Sequence, residues 1–435
     1  MNNRPARSVS ARTLAALIAL PLGLALAGCA FLGAGDRGRA APGSGAGTGS
    51  TKENSTGTGT GTAAARAKGG GRSFTVAAAG DILIHPPLTE QAARDAKASG
   101  RPGYDFDRMM AGIKPVISRA DLAICHLEPV LGEPAGPFRA YPDFLVPPQV
   151  ARTIKGVGYD TCSTASNHTL DHGPEGVFRT LDTLDREGLA HTGSARSKAE
   201  ADKPLVLDVK GVKVAQLSFA FGFNGNRIPP DKPWLTNPIS FKAVAAAEER
   251  ARAAGAEVVI LSLHWGREHQ PDPNEAQLEL ARRIARETGI NLVVGHHAHV
   301  VQPMEKIGGT WVAYGLGNQI SRHDVPGGLT EEGVIGWFEF TERGGAWEVQ
   351  ARFAPTFTDI PPKPQGTPGS GLPGAVPVPA RDHRLVDVAE ALRGGAKLLP
   401  EQRARYRLAF ERTQGTLLNR GAAKDGLRPL RELPG

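Results

Sequence analysis

The chain has 435 residues, of which 22% are charged and 6% aromatic, with a formal charge of +7. Arg4, Arg7 and Arg12 fall within the first dozen residues, so the remainder carries +4. With no Lys/Arg stripe and no aromatic-basic module, that bias excludes nucleic acid as a partner. The length accommodates one large domain with appendages, with about 290 to 360 residues able to order around a core.

The N-terminus begins with those three arginines and no acid, continues into an apolar run from Leu14 to Leu26, and closes on Leu26-Ala27-Gly28-Cys29. A basic start, a short apolar core and small residues before a cysteine describe a secretory signal with a lipidation site. The run falls short of the roughly 20 residues that a membrane-spanning helix needs. The segment resembles a bacterial lipoprotein lipobox, which implies cleavage before Cys29 and acylation of its thiol. Residues 1–28 are thus expected to be a signal peptide, and Cys29 a lipid anchor holding the chain outside the bacterial cell membrane. Residues 29–72 are rich in Gly, Ala, Ser and Thr, cannot form an apolar face, and read as a flexible tether. About 40 such residues reach roughly 35 Å. Two cysteines remain, Cys125 and Cys162, both in apolar strand-like runs. A disulfide and two buried thiols both fit, with buried thiols favoured.

From Ser73 onward, strand-like runs alternate with helical ones. Phe74 to Ala79 leads to Gly80-Asp81, Leu122 to Cys125 leads to Glu128, and Tyr159 to Ser163 leads to Asn167-His168. Val258 to Leu263 ends in His264. The run Leu292-Val293-Val294 leads through Gly295 into His296-His297-Ala298-His299, three imidazoles in four positions. Helical periodicity covers Glu175 to Glu187, Phe241 to Ala254 and Glu275 to Thr288. This pattern predicts an α/β sheet with helices packed on its faces. Val334 to Phe340 and Trp347 to Phe353 read as closing strands and Pro361 to Pro379 as a Pro/Gly-rich loop. Asp382 to Asn419 reads as a surface helix pair. The expected organisation is therefore a domain over residues 73–360, followed by a loop and helical tail over residues 361–435.

Five of the strand candidates end in a metal-capable or polar residue, and in open α/β sheets ligands sit beyond the carboxyl ends of strands. The set is Asp81, Glu128, Asn167 with His168, His264, and His297 with His299. Carboxylates, an amide oxygen and imidazoles suit one or two divalent cations such as Mn, Fe, Zn or Mg. Each residue also has an ordinary structural use. Asp81 would serve as a helix cap, Asn167 and His168 as turn residues, and His264 as a core histidine bonded to backbone.

The ordered motifs Gly80-Asp81, His126-Leu127-Glu128, Ser166-Asn167-His168 with Asp171-His172-Gly173, His264-Trp265-Gly266, Gly295 to His299 and Tyr314 to Asn318 resemble the bacterial capsule-synthesis CapA family. The resemblance spans roughly Phe74 to Phe357. It implies a part in poly-γ-glutamate production or export, and a relation to the calcineurin-like metallophosphoesterases with their layered sheet/helix fold. On that relation Asp81, Glu128, Asn167, His264, His297 and His299 would be metal ligands, with Glu128 bridging, and His168 the proton donor or oxyanion-stabilising group. His296 is the alternative to His297. Leu83 stands where an Asp-x-His motif would put a histidine, although His85 lies two further on. The lack of that histidine implies that one metal is weakly held or missing, and His126 and Ser166, which replace asparagines usual in the family, leave the metal's identity open.

Phosphoester hydrolysis at a metal centre is the expected chemistry. The reading from a different class is a non-catalytic scaffold for an anionic surface polymer such as polyglutamate, with Arg139, Arg227 and Arg267 near the motifs; capsule-synthesis machinery is the corresponding partner. A Ser-His-Asp hydrolase is set aside because the folded region has no Gly-x-Ser-x-Gly elbow.

Overall fold

A computed structural model describes residues 71–323, 327–361, 382–394 and 398–433. The expected signal peptide, Cys29, nearly all of the tether and the Pro/Gly-rich stretch after Pro361 lie outside the described residues. In chain order the first elements are β1 (Ser73–Ile82), α1 (Pro86–Ser99), α2 (Asp107–Met110), α3 (Lys114–Ile117), β2 (Leu122–Leu127), β3 (Val130–Leu131) and β4 (Leu145–Val146). Next come α4 (Gln149–Val157), β5 (Thr161–Ser163), α5 (Gly173–Arg186), β6 (Ala190–Thr192), α6 (Lys198–Asp202), β7 (Leu205–Val209) and β8 (Val212–Ala220). Then follow α7 (Phe241–Ala253), β9 (Val258–His264), α8 (Glu275–Glu287), β10 (Leu292–His296), β11 (Met304–Ile307), β12 (Thr310–Ala313) and β13 (Asn318–Ile320). The last are β14 (Glu332–Arg343), β15 (Ala346–Asp359), β16 (Arg384–Asp387), α9 (Val388–Arg393), α10 (Pro400–Leu418) and β17 (Arg428–Pro429).

The strands form two large sheets. One runs β16-β15-β14-β1-β2-β5-β6, with β13 also pairing β1 and β17 pairing β15; the other runs β11-β12-β10-β9-β8-β7. Strands β3 and β4 make a small separate pair. The two-residue side-chain period explains the stacking. Val76, Ala78 and Ile124 of the first sheet share a core with Val214, Ile260, Val294 and Trp311 of the second. The intervening Ala77, Ala123 and Cys125 face away, toward Leu88, Met109, Ile154 and Leu181. On the far side of the second sheet, Val259, Leu261 and Val293 pack with Val244 and Ala247 of α7 and Ala281 and Ile284 of α8. The result is an α/β fold in four layers, helices, sheet, sheet and helices. The runs in the middle strands are nearly continuously apolar because both of their faces are covered.

Helix ends follow local chemistry. Ser240 caps α7 by accepting from Ala243 N, and Asn274 with Gln277 forms a capping box on α8. The C-terminal region contributes strands as well as helices. β16 lies antiparallel and β17 parallel to β15, while Tyr406, Ala409 and Phe410 of α10 pack on Phe357.

Cys125 and Cys162 are joined in a disulfide, which corrects the expectation of two buried thiols. The reason lies in register. The two residues are direct partners on the parallel strands β2 and β5, with Cα atoms 4.5 Å apart, within the range a disulfide spans. Strand periodicity alone does not show that these two strands are neighbours.

Candidate metal centre

Parallel strands β1, β2 and β5 of one sheet and β8, β9 and β10 of the other deliver their carboxyl ends to a common place. Two glycines permit the close approach. A Cβ at Gly80 would collide with the carbonyl of Gly317, and one at Gly295 with the carbonyl of Tyr314. The residues that follow them, Asp81 and His296, are buried and bonded to each other, His296 Nδ1 lying 3.0 Å from Asp81 Oδ1.

Asp81 organises the whole histidine loop. Its Oδ2 accepts from His297 N at 3.0 Å and lies 3.2 Å from His299 Nδ1. His297 and His299 hold left-handed backbone conformations, with φ of 86° and 55°, which non-glycine residues adopt at a cost that functional sites tend to retain. Burial alone would raise the Asp81 pKa, but the hydrogen bonds from His296 and His299 outweigh it and hold the carboxyl well below its usual range.

Beside this loop three ligand-type atoms converge. Asn167 Oδ1 is 3.0 Å and Glu128 Oε1 4.0 Å from His264 Nε2, while Glu128 Oε1 lies 3.6 Å from His299 Nε2. The Asn167 amide is oriented because its Nδ2 donates to Asn224 Oδ1 at 3.2 Å. His168 stands at the same rim. Its Nδ1 is 2.6 Å from Asp171 Oδ2, which also accepts from Phe144 N. Burial would lower the His168 pKa, yet the Asp171 hydrogen bond raises it.

The buried donors fit a cation. Glu128 is 1% exposed, and neither of its carboxylate oxygens has a hydrogen-bond partner among the described residues; the same is true of His296 Nε2 and His297 Nδ1. Burying carboxylate oxygens without hydrogen-bond partners is expensive. Burial pushes the Glu128 carboxyl up to about 7. Burial opposes charge on His299, but Glu128 and Asp81 raise it to about 10. His297 is pushed down to about 3 by burial and by its neighbour His299. Possible metal-ligand groups are therefore present: Asp81 with Glu128 and His299, Asp81 with His126 and His296, and Glu268 with His297 and His299.

All the expected site residues of the fold, Asp81, Glu128, Asn167, His168, His264, His297 and His299, gather here, and His296 joins His297 rather than replacing it. His126, Asp171, Asn224, Glu268 and Asn318 are further members. His126 had been read only as a departure from an asparagine. In the structure its ring stacks on His296 with centroids 3.9 Å apart. His126 Nε2 contacts His264 Nδ1 at 2.9 Å, and His126 Nδ1 contacts Ser163 Oγ at 2.8 Å. Ser163 Oγ lies 3.3 Å from the Cys125 carbonyl. His85, the other histidine near the first motif, packs its ring on Phe144 and His323, and its Nδ1 lies 3.1 Å from Leu83 O and accepts from Arg322 N.

The family model described as "Bacterial capsule synthesis protein PGA_cap" matches residues 75–323, which contain all of these residues. The chain belongs to the PGA_cap family. A relative in Bacillus subtilis (strain 168), PGA biosynthesis protein CapA, is 31% identical over 172 residues, 38% of this chain and 44% of that one. The capsule biosynthesis protein CapA of Bacillus anthracis is 24% identical over 252 residues, 56% of this chain and 59% of the relative. This PGA_cap chain thus spans about half the length of these relatives. Among solved structures, a novel phosphatase of Mycoplasma pneumoniae aligns with TM-score 0.40 and 11% identity, over 66% of this chain and 94% of that one. A calcineurin-like phosphoesterase of Bacillus subtilis aligns with TM-score 0.34 and 12% identity, over 78% and 97%. The layered α/β architecture of this PGA_cap member rests on its own strand order.

Proposed function

We propose that this PGA_cap member is a lipid-anchored protein of the bacterial cell surface that acts in capsule or poly-γ-glutamate synthesis or export through a metal-dependent, phosphoester-type hydrolase site. The observation that carries the reading is the buried Glu128 carboxylate, whose two oxygens have no hydrogen-bond partner among the described residues while His264, His299 and Asn167 surround it. Asp81, Glu128, Asn167, His264, His297 and His299, with His296 behind them, would hold one or two divalent ions. Bound there, such ions supply Lewis acidity toward a phosphoryl oxygen and lower the pKa of water.

The protein's own groups do the rest. Asp81 holds the His296–His299 loop through three hydrogen-bonding contacts. Asp171 fixes the His168 ring by its Nδ1 and raises its pKa against the effect of burial, which leaves Nε2 to deliver a proton to a leaving oxygen. The relatives' names as PGA and capsule biosynthesis proteins support the pathway, and the apolar start ending at Cys29 supports the anchor.

The test uses the full chain with added Mn²⁺ and a panel of phosphomonoesters and phosphodiesters. Hydrolysis that requires the ion and is lost in Asp81→Ala and His264→Ala supports the assignment. Rates unchanged in both variants sink it. An ion-loaded protein without hydrolysis that retains long polyglutamate would instead establish the scaffold reading, for which exposed Arg139, Arg227 and Arg267 are the available cations.

A further inference from the structure

Glu268 is one of the possible ligand residues named above but has no part in the site proposed for the reaction. It lies on the loop after β9 and is exposed. Its position is nevertheless built into the fold. Trp265 N donates to His296 O at 3.3 Å, Trp265 Nε1 to Tyr314 O at 2.9 Å, and His269 N to Ala298 O at 2.8 Å. Gln302 Nε2 donates to Gln270 O at 2.9 Å. Gly266, at φ 92°, makes the turn that starts the loop, and a Cβ there would collide with Gln277. The six residues from Trp265 to Gln270 are thereby anchored at both ends beside the histidine loop, with Glu268 between the anchors.

Across from it stand His297 and His299. Ligand atoms of Glu268, His297 and His299 all lie within 4.8 Å of one another. Two donors on one ion sit about 3 to 4 Å apart, given bonds of roughly 2.0 to 2.2 Å, so an exposed glutamate closes the gap by a rotamer change. His297 is 5% exposed, and its Nδ1 has no partner among the described residues. A buried imidazole nitrogen that faces no protein donor or acceptor points to a ligand.

We infer that Glu268, His297 and His299 form a second cation seat, beside the one made by Glu128, Asn167 and His264, in which Glu268 supplies the ligand that Leu83 does not. The inference rests on the metal-centre reading given under Proposed function. It makes the site a two-ion site whose outer ion is bounded by a side chain from the solvent face, and that ion is the one an incoming anionic substrate meets first.

The experiment is metal stoichiometry on the full chain. Wild type and Glu268→Gln are loaded with Mn²⁺, freed of excess ion and assayed for Mn per chain, with electron paramagnetic resonance to detect coupling between neighbouring ions. Thermal unfolding of both proteins reports on the fold. Two ions per wild-type chain with a coupled spectrum, and one uncoupled ion in Glu268→Gln at unchanged unfolding temperature, is the expected result. Two ions retained by the variant, or one ion in the wild type, overturns the second seat and leaves the first intact. A wild type with no ion overturns both the seat and the metal-centre reading.

Discussion

The ring nitrogens of His126 and His264 form a chain with two consistent proton arrangements. Without an ion, Ser163 Oγ donates to His126 Nδ1, His126 Nε2 to His264 Nδ1, and His264 Nε2 to Asn167 Oδ1, over distances of 2.8, 2.9 and 3.0 Å. An ion at His264 Nε2 requires the reverse, ending with Ser163 donating to the Cys125 carbonyl. His126 therefore orients His264 and sets its tautomer, the work a carboxylate or carbonyl does behind most metal-bound histidines. Replacing His126 with Ala is expected to weaken Mn²⁺ binding by about 10- to 100-fold, measured by chelator competition, with His126→Asn closer to wild type; equal affinity in all three proteins would remove the role. Protons compete for the same groups. Glu128, held at about 7, and His299, held at about 10, must shed their protons to bind an ion. Affinity is thus expected to fall as pH drops below about 10 and more steeply below about 7, with proton release visible by calorimetry in buffers of different ionisation enthalpy; a flat profile between pH 6 and 8 would contradict this. At this scale the sequence was legible where a strand run ended on a polar residue, as at Asp81, Glu128 and His264. It was opaque where the contact comes from a loop, as at Asn224 and Glu268, or where the chemistry depends on a stacked neighbour, as at His126.

Among the elements, the middle strands and the amphipathic helices were readable because each repeats one spacing. The expected helices from Glu175, Phe241 and Glu275 correspond to α5, α7 and α8, the last two beginning at those residues. Pairing was not readable, since period-two alternation says which face a residue takes and not which strand lies beside it. That is why the Cys125–Cys162 disulfide and the C-terminal strands β16 and β17 emerge only from the structure. The tail also carries a buried charge cluster. Arg405 Nη1 lies 2.7 Å from Glu332 Oε1, and Arg412 bonds the same carboxylate. The helix α10 is held chiefly by its apolar stripe, with Phe410 2% exposed against Phe357 and Ala389. Phe410→Ala is expected to cost about 3 to 5 kcal/mol, read from urea unfolding. A loss under 1 kcal/mol would show that α10 is a dispensable attachment.

For the molecule as a whole, two sheets stacked face to face bring strand ends from both into one centre. Alternating strands and helices along the chain are compatible with one sheet or two; the choice is made by which apolar faces meet, as Val76 and Ala78 meet Ile260 and Trp311. Because ligands come from both sheets, an ion ties the sheets together and should stabilise the fold by about 2.7 kcal/mol at an ion concentration 100 times the dissociation constant. The most direct test of the metal centre is anomalous scattering from crystals of the full chain grown with Mn²⁺. A strong peak bounded by Glu128, Asn167 and His264 is expected, and ordered Mn²⁺ found only elsewhere on the protein, with no peak there, would contradict it.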